Sequence, residues 1–242
     1  MVLIIDYDCQ PTDPSAPRAA LLRAFADLLD SLEFFLNAYA LTNRSCQIII
    51  IYNSKDESRI IYPSNKVSDS KSTSHDSIKE ELNKLLVSNA GSNSSRYADD
   101  GDKTEGAPIC RAFSRALCLI CRRVRLSEGW LRPRILVVQG TKERAIAFNS
   151  IMNSIFSANK LGVMIDALVL ARESLFLQQA CLITNGTYIN PNDSSDLLQT
   201  LLTNFIPNAD LREVFERPIP RSIKMRYSNY KYFLFADNNV LL

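Results

Sequence analysis

The residues most suited to chemistry follow the first apolar run of the chain. Val2–Ile5 is continuously apolar, and Asp6-Tyr7-Asp8-Cys9-Gln10 comes directly after it. A carboxylate at the end of a strand lies at the edge where open α/β sheets bind ligands. Alternate residues of an extended segment point the same way, so Asp6, Asp8 and Gln10 can present three oxygens to one hard cation. The pattern indicates a magnesium-type site.

The two other loops that such a site needs have lost their usual ligands. They read Glu105-Gly106-Ala107-Pro108, with Thr104 only nearby, and Val138-Gln139-Gly140-Thr141, with neutral residues where an aspartate is expected. The oxygens of the first motif can instead cap the turn after the strand. We therefore predict that Asp6, Asp8 and Gln10 are a degenerate metal motif that holds no metal.

Candidate catalytic groups are few. Asp166 lies within an apolar run, and a buried carboxylate needs partners, so we favour a hydrogen-bonded structural aspartate near the strand end over a catalytic acid. The single histidine, His75, lies in a polar stretch, which disfavours hydrolases that rely on a histidine base. The six cysteines show no framework spacing and are interpreted as reduced core residues. A phosphate-binding glycine loop is absent, and we assign no catalytic residue and no cofactor.

Apolar runs alternate with helical patterns along most of the chain. The strand-like runs are Val2–Ile5, Gln47–Tyr52, Arg59–Tyr62, Ile135–Val138, Val163–Val169 and Thr187–Ile189. The helical patterns are Pro17–Leu41, Pro108–Val124, Lys142–Lys160, Ser174–Ile183 and Ser194–Phe205. This alternation predicts an α/β fold with a doubly wound, mostly parallel sheet. The link between the second and third strands is too short for a crossover, so these two should form an antiparallel hairpin at one edge.

Two regions depart from that pattern and define the domain organisation that we predict. Residues 63–103 are rich in serine, asparagine and charged residues and form an insertion within a domain of residues 1–215. Residues 216–242 form a C-terminal tail with an aromatic run. No apolar run reaches the roughly 18–20 residues that a membrane span needs. A net charge of +2 gives no strong field for nucleic acid.

One helix and one basic cluster are candidates for binding a partner. The helix Lys142–Lys160 is apolar on most sides, which is typical of a buried or docking helix. We predict a docking surface there that includes Ile146, Asn149, Ile151 and Asn153. Seven arginines could form a patch for an acidic partner or nucleic acid, although a solvated helix face is our preferred interpretation. They are Arg111, Arg115, Arg122, Arg123, Arg125, Arg132 and Arg134.

Several local strings resemble a known family, the smaller von Willebrand A-type core subunit (34-kDa type) of general transcription factor IIH. Shorter matching strings include Asn43-Arg44-Ser45, Glu57-Ser58-Arg59, Tyr62-Pro63, Ala116-Leu117-Cys118 and Arg134-Ile135-Leu136-Val137-Val138. The most specific strings are Phe148-Asn149-Ser150-Ile151-Met152-Asn153-Ser154-Ile155-Phe156, Ile165-Asp166-Ala167 and Gln178-Gln179-Ala180-Cys181-Leu182-Ile183-Thr184. Together they cover most of residues 1–215, closely in the second half and loosely in the first. The resemblance implies a von Willebrand A-like fold with a six-stranded sheet and no enzymatic activity.

The same resemblance implies a nuclear scaffold in transcription initiation and nucleotide excision repair. Its partners would be the larger von Willebrand-type subunit, bound partly through that subunit's zinc-containing C-terminal region, and the other core subunits. The family continues into a cysteine-rich zinc module, but this sequence has no cysteine beyond Cys181, so we expect no zinc module in it. The alternatives are a metal-dependent ligand-binding domain of the same fold and a Rossmann-like hydrolase that uses Asp166 or Asp8.

Overall fold

Six strands form one central sheet in the computed structural model. The model describes residues 1–7, 18–42, 46–54, 58–62, 108–127, 132–140, 148–170, 173–191, 197–212, 224–228 and 231–235. The strands are β1 (Val2–Asp6), β2 (Ile49–Asn53), β3 (Ser58–Tyr62), β4 (Arg134–Gln139), β5 (Met164–Val169) and β6 (Tyr188–Ile189). Their order across the sheet is β3-β2-β1-β4-β5-β6.

The pairing of the strands confirms the predicted topology. β1 pairs in parallel with both β2 and β4, and β5 pairs in parallel with β4 and β6. β3 pairs antiparallel with β2 at the edge, with an irregularity in register between Ile50 and Ile51. The short β2–β3 link allows only a hairpin, because a parallel return needs a crossover of about a dozen residues.

Helices cover both faces of the sheet. They are α1 (Arg18–Thr42), α2 (Pro108–Leu126), α3 (Phe148–Lys160), α4 (Leu175–Ile183), α5 (Leu197–Phe205) and the short α6 (Ala209–Arg212). One buried cluster joins α2, α3 and α4 to one face of the sheet, and a second joins α1 and α5 to the other. Continuous apolar strands are expected between two such layers, because both sides of each strand are buried.

The long helix α1 shows how apolar spacing sets the packing. Phe25, Leu28, Leu32 and Phe35 recur every three or four residues, and all four are at most 2% exposed. Burying each of these side chains contributes about 1.5–3 kcal/mol relative to exposure. On the opposite side of the same helix, Phe34 is 63% exposed. The helix therefore has one buried stripe and one open face.

The C-terminal tail contains two strands that we did not predict. β7 (Lys224–Ser228) and β8 (Lys231–Phe235) pair antiparallel as a separate two-stranded sheet. The predicted helix Lys142–Lys160 is described from Phe148 onward, and its first residues lie outside the described part of the chain. Residues 63–103, the predicted insertion, also lie outside it. No described helix is both long enough and apolar enough to cross a membrane.

Candidate functional site

Three neighbouring strands end side by side at the carboxyl edge of the sheet. Asp6 is the last residue of β1, and it is in register with Asn53 of β2 and Gln139 of β4. The three side chains are 7%, 0% and 3% exposed, respectively. They share the side of the sheet that packs against α2 and α3, because Ile4, Ile51 and Val137, two positions earlier, belong to that core cluster.

Among the described residues, the side chains at this edge bind one another. Asn53 Nδ2 donates to Asp6 Oδ1 at 2.6 Å, so an amide donor occupies an oxygen that a cation would need. Asn53 Oδ1 and Gln139 Oε1 are buried and accept no hydrogen bond from the described residues. Only one of these three side chains is a carboxylate, whereas Mg²⁺ is bound chiefly through carboxylates and water. Within the described residues, moreover, no three His, Cys, Asp or Glu side chains are grouped to hold a metal.

Tyr7 and Gly140 close the same edge by direct packing. The Tyr7 side chain is 6% exposed, and its ring centroid lies 4.5 Å from that of Phe25. A Cβ atom on Gly140 would lie 2.2 Å from Tyr7 Cδ2, so no larger residue fits there unless the ring moves. Gly140 N donates to Asp6 O at 2.9 Å, and Tyr52 Oη donates to Tyr7 O at 3.0 Å. The glycine that follows Gln139 therefore has a packing role.

The remaining residues of the predicted metal motif lie outside the described residues. These are Asp8 and Gln10, together with Glu105–Ala107 and Thr141 of the two accompanying loops. The structure thus places one predicted ligand, Asp6, at the expected edge. It adds Asn53, which we did not predict, although its position at the end of a β-branched run parallel to β1 was a usable signal.

Asp166 is held by two arginines from distant parts of the chain. Its side chain is fully buried and contacts Arg134 Nε. Arg212 Nη1 donates to Asp166 Oδ1 at 2.6 Å, and the backbone N–H of Thr187 donates to the same oxygen at 2.8 Å. Because both carboxylate oxygens bind protein groups, Asp166 is a structural residue, as predicted. It lies third in β5, however, rather than near the strand end.

The predicted basic cluster loses Arg134 but keeps the arginines of α2. Arg134 belongs to β4 and is buried beside Asp166.

Arg111, Arg115, Arg122 and Arg125 recur at helical spacing on one side of α2, and all four are exposed. Arg122 and Arg125 also line a groove between α2 and α3. The α2 part of the cluster is therefore an exposed helix face, which was the preferred interpretation.

The outward side of α3 is only partly as predicted. Ile151 is fully buried with Ile155 and Ala158 in the core, so it cannot contribute to an exposed docking surface, and that expectation is wrong for this residue. Its spacing from Ile155 places it on the stripe facing the sheet. Asn149 and Asn153 are exposed, and Ile146 lies outside the described residues.

Exposed apolar side chains occur on α3 and α4 instead. Phe156 of α3 is 55% exposed and Leu182 of α4 is 49% exposed. Asn149, Met152 and Phe156 recur at helical spacing and lie on one side of α3. We call Asn149, Met152, Phe156 and Leu182 the α3–α4 surface. Phenylalanine and methionine are enriched in protein interfaces relative to the rest of a protein's surface.

The surroundings of the buried cysteines Cys110 and Cys181 keep their thiols protonated. Burial raises the pKa of the Cys181 thiol well above its usual value and also raises the pKa of Cys110. A protonated thiol is a poor nucleophile and a poor metal ligand. Cys118 and Cys121 lie on α2, where Cys118 is exposed, so the interpretation of the cysteines as core residues is wrong for Cys118. The buried pair is therefore part of the core rather than a reactive site.

Comparison with known proteins places this architecture in a family. The family model for transcription factor Tfb4 matches residues 1–232. The TFB4 subunit of general transcription and DNA repair factor IIH from Arabidopsis thaliana is 31% identical over 212 residues, which cover 84% of this chain and 70% of that protein. General transcription factor IIH subunit 3 from Dictyostelium discoideum is 28% identical over 228 residues. These cover 88% of this chain but only 61% of that relative's length.

Solved structures agree with that assignment. The crystal structure of the TFIIH p34 N-terminal domain is similar with a TM-score of 0.59 at 26% identity, covering 84% of this chain and 96% of that one. The VWA domain of SpRpn10 is similar with a TM-score of 0.52 at 14% identity, covering 83% and 92%, which supports the fold alone. With its six-stranded sheet and single antiparallel edge strand, the chain has a von Willebrand A-type fold, and it belongs to the Tfb4 family.

Proposed function

We propose that this chain is a non-catalytic structural subunit of the transcription factor IIH core, which acts in the nucleus in transcription initiation and nucleotide excision repair. It binds the larger von Willebrand-type subunit, partly through that subunit's zinc-containing C-terminal region, and it contacts the other core subunits. The names of the relatives support the assembly and the two processes. No cofactor and no catalytic residue of this chain takes part.

The observation that carries the proposal is the contrast between the two sides of α3. Ile151 and Ile155 are fully buried against the sheet, whereas Phe156 leaves more than half of its surface in water. Full burial of a phenylalanine contributes about 1.5–3 kcal/mol, so a docked partner that covered Phe156 would gain part of that free energy. Phe34 of α1 is 63% exposed, so exposure alone does not choose between the two helices. We assign the contact with the larger subunit to the α3–α4 surface because the string Phe148–Phe156 is among the most specific matches to the family.

The carboxyl edge supports a role without metal chemistry. Its one described carboxylate, Asp6, accepts a hydrogen bond from Asn53, and Gln139 occupies the end of β4. A domain that bound its ligand through a cation at this edge would need an open, negatively charged cluster. The described residues instead present buried neutral amides, so binding is assigned to the helical layer.

The test is co-purification of the full chain with the larger subunit. Two single variants are compared, each of which places a charged residue on a helix that covers one face of the sheet. Phe156→Glu places a carboxylate in the α3–α4 surface, and Phe34→Glu is the matched control on α1, where the side chain is 63% exposed. We expect the first variant to bind at least about tenfold more weakly, which corresponds to about 1.4 kcal/mol. We expect the second to bind as the wild type does.

Equal binding by the wild type and Phe156→Glu would overturn the assignment to this surface. Failure of the wild-type chain to bind the larger subunit at all would overturn the partner assignment. Circular dichroism of both variants checks that neither substitution unfolds the domain. Since both positions are solvent-exposed, each change is expected to alter stability by less than about 0.5 kcal/mol.

A further inference from the structure

A groove runs between α2 and α3 on the outside of the helical layer. It has a volume of about 880 Å³ and opens to solvent along much of its length. Its lining extends from Ser114 to Leu126 on α2, and from Ser150 on α3 to Leu161 directly after that helix. At 1.5 Å per residue these walls are roughly 15–20 Å long, so the groove suits an elongated peptide segment better than a compact ligand.

The charged residues described in the groove have one sign. Arg122 and Arg125 are exposed and line it, whereas none of the described residues of its lining is acidic. Neither α2 nor α3 contains an aspartate or glutamate anywhere in its sequence. Two guanidinium groups on one wall without a carboxylate across from them attract an acidic partner and disfavour a basic one.

On the α3 wall of the groove, two serine hydroxyl groups already donate hydrogen bonds within the helix. Ser154 Oγ donates to the carbonyl of Ser150 at 3.1 Å, and Ser157 Oγ donates to the carbonyl of Asn153 at 2.7 Å. These hydroxyl protons are therefore already used within α3. An occupant with acceptor groups would find its strongest donors at the guanidinium groups of α2, which match carboxylates in geometry and charge.

The groove also offers apolar contacts beside the arginines. Leu126 is 74% exposed and Leu161 is 41% exposed, and both line the groove where α2 and α3 end. Leu117 adds a buried apolar position to the lining. A segment that carries leucine-type side chains on one side and carboxylates on the other matches this combination, as in other helix-in-groove contacts.

We propose that the α2–α3 groove binds an acidic amphipathic helix of another protein. This inference rests on the proposed function in that the chain acts by docking, but it names a second surface. The α3–α4 surface adjoins the groove on the outward side of α3, but Phe156 and Leu182 do not line the groove. One helix thus serves two contacts, with Phe156 directed to one and Asn153 lining the other.

The test uses a synthetic probe with the full chain. The probe is a peptide of about four helical turns, with leucines along one side and glutamates elsewhere, and its counterpart has lysine in place of every glutamate. Binding is followed by fluorescence anisotropy at low ionic strength, near about 50 mM, where charge contacts are least screened. We expect saturable binding of the glutamate peptide and none of the lysine peptide.

Variants locate the binding. Arg122→Glu and Arg125→Glu should each weaken binding of the glutamate peptide by about tenfold or more, because reversing the charge of the side chain converts attraction into repulsion. Arg23→Glu is the matched control, because Arg23 is an exposed arginine of α1 on the other face of the sheet. Cys118 lines the groove and is exposed, so the bound peptide should slow its alkylation by N-ethylmaleimide.

Three results would overturn the proposal: equal binding of both peptides, unchanged binding by both the Arg122→Glu and Arg125→Glu variants, or unprotected Cys118 at saturating peptide. The outcome is separable from that of the proposed function. Arg122→Glu is expected to retain the larger subunit, and Phe156→Glu is expected to retain the peptide. A wild-type chain that binds the peptide but not the larger subunit would contradict the proposed function alone.

Discussion

The carboxyl edge of the sheet buries polar side chains, whereas the outside of the helical layer exposes apolar ones. At the edge, the polar residues Asp6, Asn53 and Gln139 are buried, and Tyr7 packs over Gly140. On the helical layer, the apolar residues Phe156 and Leu182 are exposed. The described polar side chains at the edge are thus largely inaccessible to a ligand, whereas these apolar side chains of the helical layer are accessible to a partner.

That contrast fits the proposed binding without a metal. Among the described residues of the edge, Asp6 is a single carboxylate with a neutral amide neighbour, Asn53. Phe156 would supply a non-directional, apolar contact that needs no cofactor. On the proposed account, the side chains left in water decide where this fold binds, and topology alone does not.

The largest expected effect separates the inner from the outer side of α3. Ile151→Glu would bury a carboxylate among apolar groups and should cost more than about 4 kcal/mol of unfolding free energy. Asn153→Glu, on an exposed position of the same helix, should change that free energy by less than about 0.5 kcal/mol. Urea denaturation of both variants measures the difference. Similar costs would mean that the two sides of α3 are not distinguished by burial.

The next effect concerns Asp166, whose loss can be compared with that of Asp6 at the carboxyl edge. Asp166→Ala would leave Arg134 and Arg212 buried without their counter-ion and should cost about 3–5 kcal/mol. Asp27→Ala, at an exposed position of α1, is the control and should be nearly neutral. Both are measured by urea denaturation. A small cost at Asp166 would show that the two arginines find other partners.

A smaller effect tests whether packing closes the edge. Gly140→Ala would bring a methyl group into the Tyr7 ring and should cost about 1–3 kcal/mol through overpacking. In the Tyr7→Ala background the same change should cost much less, because the ring is gone. A double-mutant cycle by thermal or urea unfolding gives the coupling. If the costs of the two single substitutions simply added, the cost of Gly140→Ala would not come from contact with the Tyr7 ring.

The smallest expected effect is at Asp6 itself. Asp6→Asn keeps an acceptor oxygen for Asn53 Nδ2 and should cost about 1 kcal/mol, the difference between a charged and a neutral acceptor. Calorimetric titration with magnesium or manganese should give no stoichiometric binding to the wild type or to this variant. Stoichiometric binding that Asp6→Asn abolishes would restore the edge as a metal site.

The order of elements followed from local sequence, but the long-range contacts did not. Continuous runs such as Gln47–Tyr52 and the spacing of Phe25, Leu28 and Leu32 predicted strands and helices that the structure contains. The partners of Asp166 are separated from it by 32 and 46 residues, and no periodicity links them.

Two features of the candidate site were missed for the same kind of reason. The helix α3 carries apolar side chains at Met152 and Phe156 as well as at Ile151 and Ile155, and only its packing on the sheet shows that the second pair is the fully buried one. Tyr7 and Gly140 directly follow the neighbouring strands β1 and β4, so their contact follows only from the sheet order. The position of Asp6 at the sheet edge, by contrast, followed from the end of one apolar run.

The most direct test of the central claim is binding of the larger von Willebrand-type subunit to three forms of the full chain, in buffers with and without added magnesium. We predict equal binding by the wild type and Asp6→Asn, no effect of magnesium, and a loss of about tenfold or more in Phe156→Glu. No chelator is used, so the partner's zinc region keeps its metal in both buffers. Loss of binding in Asp6→Asn together with full binding by Phe156→Glu would contradict the account, because it would return the contact to the edge of the sheet.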